Sequence, residues 1–125
     1  MANQKKRVLI VDDEYSSRRL LEKILRSYLN CDVLQAEEGS VALQIMVKEN
    51  PDLVILDLVM PFMNGVEVLK TMRKTANLRD IQVVVCTSID DQTLVKKVIE
   101  FGVKKYLVKP LSKEKVVDVI SELLV

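Results

Sequence analysis

The chain has 125 residues, enough for one domain with a sizeable core. Hydrophobic residues make up 49% and charged residues 30%, and the net charge of +1 gives no general pull toward nucleic acid or anionic membranes. There is no histidine, which excludes histidine-based zinc sites, Ser-His-Asp triads and histidine general bases.

Residues 1–7 are basic but lead into a short apolar run, not into the longer stretch of a signal peptide. No segment approaches the ~20 apolar residues that span a bilayer, so the expected address is cytoplasmic, without direct membrane or nucleic-acid contact. The first predicted strand covers 7–11. A helix over 15–29 follows, with Leu20, Leu21, Ile24, Leu25, Tyr28 and Leu29 as its expected core stripe. A less apolar strand at 32–36 suits a sheet edge. Ser40 is the expected cap of a helix over 41–48, facing inward through Val41, Ala42, Ile45 and Met46.

The third strand is predicted at 53–57, followed by a turn-rich loop and a helix over 66–75. A fourth strand at 82–87 leads to a helix over 92–101, built on Leu94, Val95, Val98 and Ile99 and capped by Asp90 or Asp91. Gly102 stands where a helix end needs a left-handed residue. The fifth strand is predicted at 105–108, and Ser112 caps a last helix over 113–124. Five alternations of strand and helix imply a parallel α/β fold, with residues 1–125 read as one domain. Cys31 and Cys86 lack CxxC spacing and read as packing residues.

The chemistry gathers at strand ends. Val8-Leu9-Ile10-Val11 runs into Asp12-Asp13, Leu53-Val54-Ile55-Leu56 into Asp57, Val83-Val84-Val85-Cys86 into Thr87, and Tyr106-Leu107-Val108 into Lys109-Pro110. Ligands of open α/β sheets bind just beyond the carboxyl ends of such strands. Three carboxylates brought together repel unless a cation lies among them, and the candidates are Lys109 and a divalent metal. Oxygen-only ligands favour a hard ion such as Mg2+. A carboxylate can serve as the nucleophile of phosphoryl transfer, with a metal, a hydroxyl and an ammonium around the developing charge. Taken singly, Asp12 or Asp13 reads equally well as a turn former or helix cap, Lys109 as a solvated loop residue, Thr87 as a cap and Tyr106 as an edge-strand residue. The coincidence of four strand ends favours a site.

Four segments, 8–14 (VLIVDDE), 53–65 (LVILDLVMPFMNG), 83–88 (VVVCTS) and 102–110 (GVKKYLVKP), closely resemble the receiver domain of bacterial response regulators. The resemblance implies a flavodoxin-like, doubly wound five-stranded parallel sheet in the order 2-1-3-4-5 with five helices. It implies that Asp57 is the phosphoacceptor and that Asp12, Asp13, Asp57 and the backbone carbonyl of Val59 hold Mg2+. Asp13 matches the direct ligand of the acidic pair, and Asp12 the one acting through water. Thr87 would be the switch hydroxyl, Tyr106 the aromatic switch, and Lys109 the phosphoryl contact beside a cis Lys109–Pro110 bond. Implied partners are a sensor histidine kinase or histidine phosphotransfer protein. Downstream, an output protein or a second copy would meet the face of the fourth helix, fifth strand and fifth helix.

On that face, residues 96–115 hold Lys96, Lys97, Lys104, Lys105, Lys109, Lys113 and Lys115 against Glu100 and Glu114. Ser88 and Leu111 depart from the family's usual residues, and Val59 and Ile89 are apolar at the two variable positions flanking the phosphoryl site. No output domain follows in the sequence, so readout by contact with another protein is expected. A small Mg2+-dependent phosphohydrolase fits less well, because Asp57-Leu58-Val59 lacks a second Asp two residues on. A receiver-like module that is never phosphorylated also fits less well, given the full set of Asp12, Asp13, Asp57, Thr87 and Lys109.

Overall fold

The computed structural model describes residues 5–88 and 92–124. The elements run β1 (Arg7–Val11), α1 (Tyr15–Leu29), β2 (Asp32–Ala36), α2 (Gly39–Glu49), β3 (Leu53–Asp57), α3 (Gly65–Lys74), β4 (Gln82–Thr87), α4 (Gln92–Ile99), β5 (Lys105–Val108) and α5 (Lys113–Leu123). All strands pair in parallel in the order β2-β1-β3-β4-β5, the flavodoxin-like arrangement expected from sequence.

The central strands are apolar on both faces because both faces are covered. Val8, Ile10, Leu53, Ile55, Val84 and Cys86 pack against Leu21, Ile24 and Leu25 of α1 and Val116 and Ile120 of α5. Their strand neighbours Leu9, Val11, Val54, Leu56, Val83 and Val85 point the other way, onto Ala42, Met46, Val68, Leu69, Met72 and Val98 of α2, α3 and α4. Cys31 and Cys86 are buried free thiols, and burial pushes the Cys86 thiol up to about 12, which leaves it inert.

The helices differ from expectation in detail. The N-cap of α2 is Glu38, not Ser40, whose hydroxyl instead donates to Glu38 Oε1 at 2.6 Å from within the first turn. Leu20 and Tyr28 are exposed rather than part of the α1 stripe, and Lys113 lies 4.7 Å over the Tyr28 ring. Ile99 is exposed too, since α4 turns only Val98 fully into the core. That helix stops at Ile99, two residues early. Gly102 follows at φ +80°, with Val103 N–H donating to Val98 O at 3.5 Å. Ser112 caps α5 as expected, accepting from Lys115 N–H. The expected caps Asp90 and Asp91, and Ile89 before them, lie outside the described residues.

A candidate acidic phosphoryl site at the carboxyl edge

Register brings the strand ends level. Val11 pairs with Leu56, so Asp12 and Asp57, each one residue further on, stand side by side on β1 and β3. Asp57 pairs with Cys86, and Thr87 pairs with Val108 immediately before Lys109. Asp12, Asp57 and Thr87 are the buried polar side chains among the described residues, and all three face this one edge. Such groups are costly to bury unless paired or used.

One carboxylate oxygen from each of Asp12, Asp13 and Asp57 lies within 4.8 Å of the others. Asp12 and Asp57 are buried and Asp13 is exposed, so the group opens to solvent on the Asp13 side. Asp12 Oδ1 accepts the Glu14 N–H at 2.9 Å, so this residue forms its own turn as well as joining the cluster. Arg18, from the first turn of α1, donates to the Asp12 carbonyl at 2.8 Å and to Gln35 Oε1 at 3.2 Å, which braces the loop.

Lys109 follows Val108 at the end of β5, next to a cis bond to Pro110, and its N–H donates to Thr87 O at 2.8 Å. Its Nζ reaches Asp12 Oδ2 at 3.0 Å, Glu14 Oε1 at 3.4 Å and Asp57 Oδ2 at 3.5 Å. Burial works against its charge, but the Asp12 hydrogen bond and the charges of Asp57, Asp12 and Glu14 outweigh that and raise its pKa. One ammonium does not balance the cluster. Burial first, and then the adjacent Asp12, raise the Asp57 carboxyl to about 7 despite Lys109 and the Val59 N–H that donates to Oδ1 at 3.3 Å. A hard divalent cation fits this set, being all oxygen and short of positive charge.

The phosphoacceptor candidate leads into a tightly held loop. Leu58 N–H donates to Cys86 O at 3.1 Å, and Gly65 N–H to Leu58 O at 3.0 Å. A Cβ at Gly65 would overlap the Asp57 carbonyl oxygen and sit 2.7 Å from Leu58 Cα, so only glycine allows α3 to start this close. Asn64 and Glu67 close a reciprocal capping box at the same point. The resulting cleft, about 530 Å³, is lined by Asp13, Glu14, Asp57, Val59, Ser88 and Lys109.

Thr87 is buried, its hydroxyl donating to Ser88 O at 3.1 Å. Tyr106 is not inward: it is 53% exposed. It lines a largely apolar cleft of about 390 Å³ with Thr87, Ser88, Gln92, Val95, Lys96 and Val108. The seven lysines of 96–115 do not make one patch. Lys109 belongs to the acidic site, Lys113 covers Tyr28, and Lys104 and Lys105 border Arg73 and Arg79 at the opposite end of the sheet. Glu14 and Arg18 were not foreseen as site residues. Their contacts join positions 95 and 17 apart, and no local pattern announces them.

The family described as the response regulator receiver domain matches residues 8–121. A probable transcriptional regulator, ycf27, of Cyanophora paradoxa is 38% identical over 124 residues, covering 99% of this chain and 50% of that protein. The chemotaxis protein CheY of Halobacterium salinarum is 34% identical over 119 residues, covering 95% of this chain and 97% of that one. The solved structure of the Vibrio cholerae chemotaxis protein CheY4 aligns with a TM-score of 0.89 at 26% identity, over 97% of this chain and 100% of its own. The chain spans about half the length of the ycf27 relatives it matches.

Proposed function

The chain belongs to the response regulator receiver domain family, and from that premise we propose that Asp57 accepts a phosphoryl group and that Thr87 and Tyr106 convert its arrival into a change of surface. The observation that supports this most is the convergence of the buried Asp12, Asp57 and Thr87 with Lys109 on one sheet edge. Residues 1–125 act as one receiver unit.

In the proposed step, an ionised Asp57 oxygen attacks phosphorus while the bond to the donor's imidazole nitrogen breaks. The electron pair leaves with the imidazole. Asp13, Asp57 and the Val59 carbonyl would hold Mg2+ directly, with Asp12 acting through water, and the ion supplies positive charge at the phosphoryl oxygens when bound. Lys109 exchanges its Asp12 and Glu14 partners for a phosphoryl oxygen, so a charge-assisted bond replaces the resting ion pairs. Thr87 donates its hydroxyl to a second phosphoryl oxygen. That vacates the inner end of the cleft beside Val95 and Val108, and Tyr106 moves into it.

The donor this reading implies is a sensor histidine kinase or a histidine phosphotransfer protein, which would supply the phosphohistidine that these 125 residues lack. The receiving surface downstream is the face of α4, β5 and α5, met by an output protein or a second copy, in the cytoplasm. Among the described residues no helix is long and apolar enough to cross a membrane. The domain's own catalysis is limited to promoting gain and loss of its phosphoryl group. NMR of the chain with Mg2+ and acetyl phosphate tests the switch. Resonances of Thr87, Tyr106 and α4 should shift together, whereas shifts confined to α1 would contradict it.

A further inference from the structure

A second cleft, of about 420 Å³, lies at the end of the sheet away from the acidic site. It forms where α3, α4 and α5 finish and where β4 and β5 begin. Arg73, Arg79, Lys104 and Lys105 border it, against the single carboxylate of Asp80 in its described lining. The whole chain carries a net charge of +1, so this is a local concentration of positive charge.

Cations at helix C-termini are ordinarily spent on the free carbonyls there. Arg73, in the last turn of α3, is spent only in part. Its Nε donates to Phe101 O at 3.0 Å, and its Nη1 to Arg79 O at 2.7 Å and Ile81 O at 3.1 Å. Those three bonds fix the guanidinium plane. They leave the two N–H groups of Nη2 without a partner among the described residues and open to solvent. Burial works against the Arg73 charge, and Asp80 offsets only part of that. Lys105 is answered by Glu122 at 3.0 Å. Among the described residues, no carboxylate forms an ion pair with Arg73, Arg79 or Lys104.

The cleft is not wholly polar. Phe101 and Leu123, each only partly buried against the core, also line it. Its volume falls in the range of small-ligand sites, about 300–1,000 Å³. A fixed guanidinium flanked by further cations suits phosphoryl oxygens, and the apolar wall suits a ring attached to them. We propose that this cleft binds a small organic polyphosphate, with the phosphates and ring of a nucleoside diphosphate. The phosphates meet Arg73 Nη2, Arg79 and Lys104, and the ring lies against Phe101 and Leu123.

The test is titration with ADP in EDTA at physiological ionic strength, followed by amide NMR. Saturable shifts should centre on Arg73, Ile81, Gly102 and Lys104. Pyrophosphate, which lacks the ring, should bind about tenfold more weakly. Arg79→Glu with Lys104→Glu reverses two exposed charges without touching the carbonyl bonds of Arg73. That double variant should lose at least about tenfold in ADP affinity while taking label from acetyl phosphate at the parental rate. Arg19→Glu with Lys23→Glu makes the same change of net charge on α1 and should stay within about twofold of the parent. Shifts centred elsewhere, or an equal loss in both double variants, would overturn the site. Equal affinity for pyrophosphate and ADP, or tighter binding of a single-stranded RNA oligomer, would overturn the ligand class.

Discussion

Lys109 and Asp12 are 97 positions apart in the chain and 3.0 Å apart in space, Nζ to Oδ2. Both side chains are largely buried, so removing one strands the other in a poorly solvated place. Lys109→Ala should therefore cost about 3 kcal/mol of unfolding free energy in EDTA at neutral pH. Excess Mg2+ should recover much of that, because it supplies the missing positive charge. Metal binding should survive the change while phosphorylation or its propagation falls. Asp13→Ala should do the reverse, weakening Mg2+ binding with no loss of metal-free stability, as an exposed member of a repelling cluster is removed. Titration with Mg2+ and thermal melts of both variants check this, and loss of metal affinity in Lys109→Ala alone would mean its role is misassigned.

Stability should depend on pH through Asp57. Its carboxyl is raised to about 7 by burial and by Asp12, against about 3.9 in an unfolded chain. The folded state thus binds the proton more tightly than the unfolded one. This contribution is present in full below about pH 4 and is lost as pH rises through about 7. Without metal, the parent should lose stability relative to Asp57→Asn between about pH 4 and pH 7, with no further loss above that. Saturating Mg2+ should flatten the difference, since the ionised carboxylate is the form that holds the cation. Denaturant unfolding of both proteins measures it, and identical pH slopes without metal would contradict the raised carboxyl.

The phosphorylated state should be long-lived. Hydrolysis needs a water held in line behind phosphorus, and Val59, half-exposed on the cleft wall, offers no hydrogen bond to hold one. Ile89, equally apolar, lies outside the described residues. Replacing both, as Val59→Asn with Ile89→Glu, should speed loss of aspartyl phosphate on the order of tenfold. Decay as fast in the parent as in the double variant would show that these side chains do not control water access.

The sheet was legible in the sequence because its strands are short apolar runs bounded by turn residues, and parallel burial leaves no other place for them. Asp12, Asp57, Thr87 and Lys109 were legible for the same reason, since each ends such a run. The helix faces were less so. Leu20, Tyr28 and Ile99 satisfy the helical period yet lie at the margin of their stripes, where neighbouring helices decide burial. Tyr28 is met by Lys113 of α5 and not by the core. Glu38 at the N-cap of α2 makes no side-chain cap, so the usual capping preference pointed to Ser40 instead. Arg18 and Glu14 became site residues only through packing of β1, β2 and β5, which no local spacing encodes.

The central claim is that Asp57 is the phosphoacceptor of a Mg2+-dependent receiver. Its most direct test is intact-mass and peptide analysis after incubation with acetyl phosphate and Mg2+, with and without EDTA. One phosphoryl group should appear on Asp57, vanish when EDTA is present and be absent from Asp57→Asn. Undiminished labelling of Asp57→Asn, or label on the parent that persists in EDTA, would contradict the account.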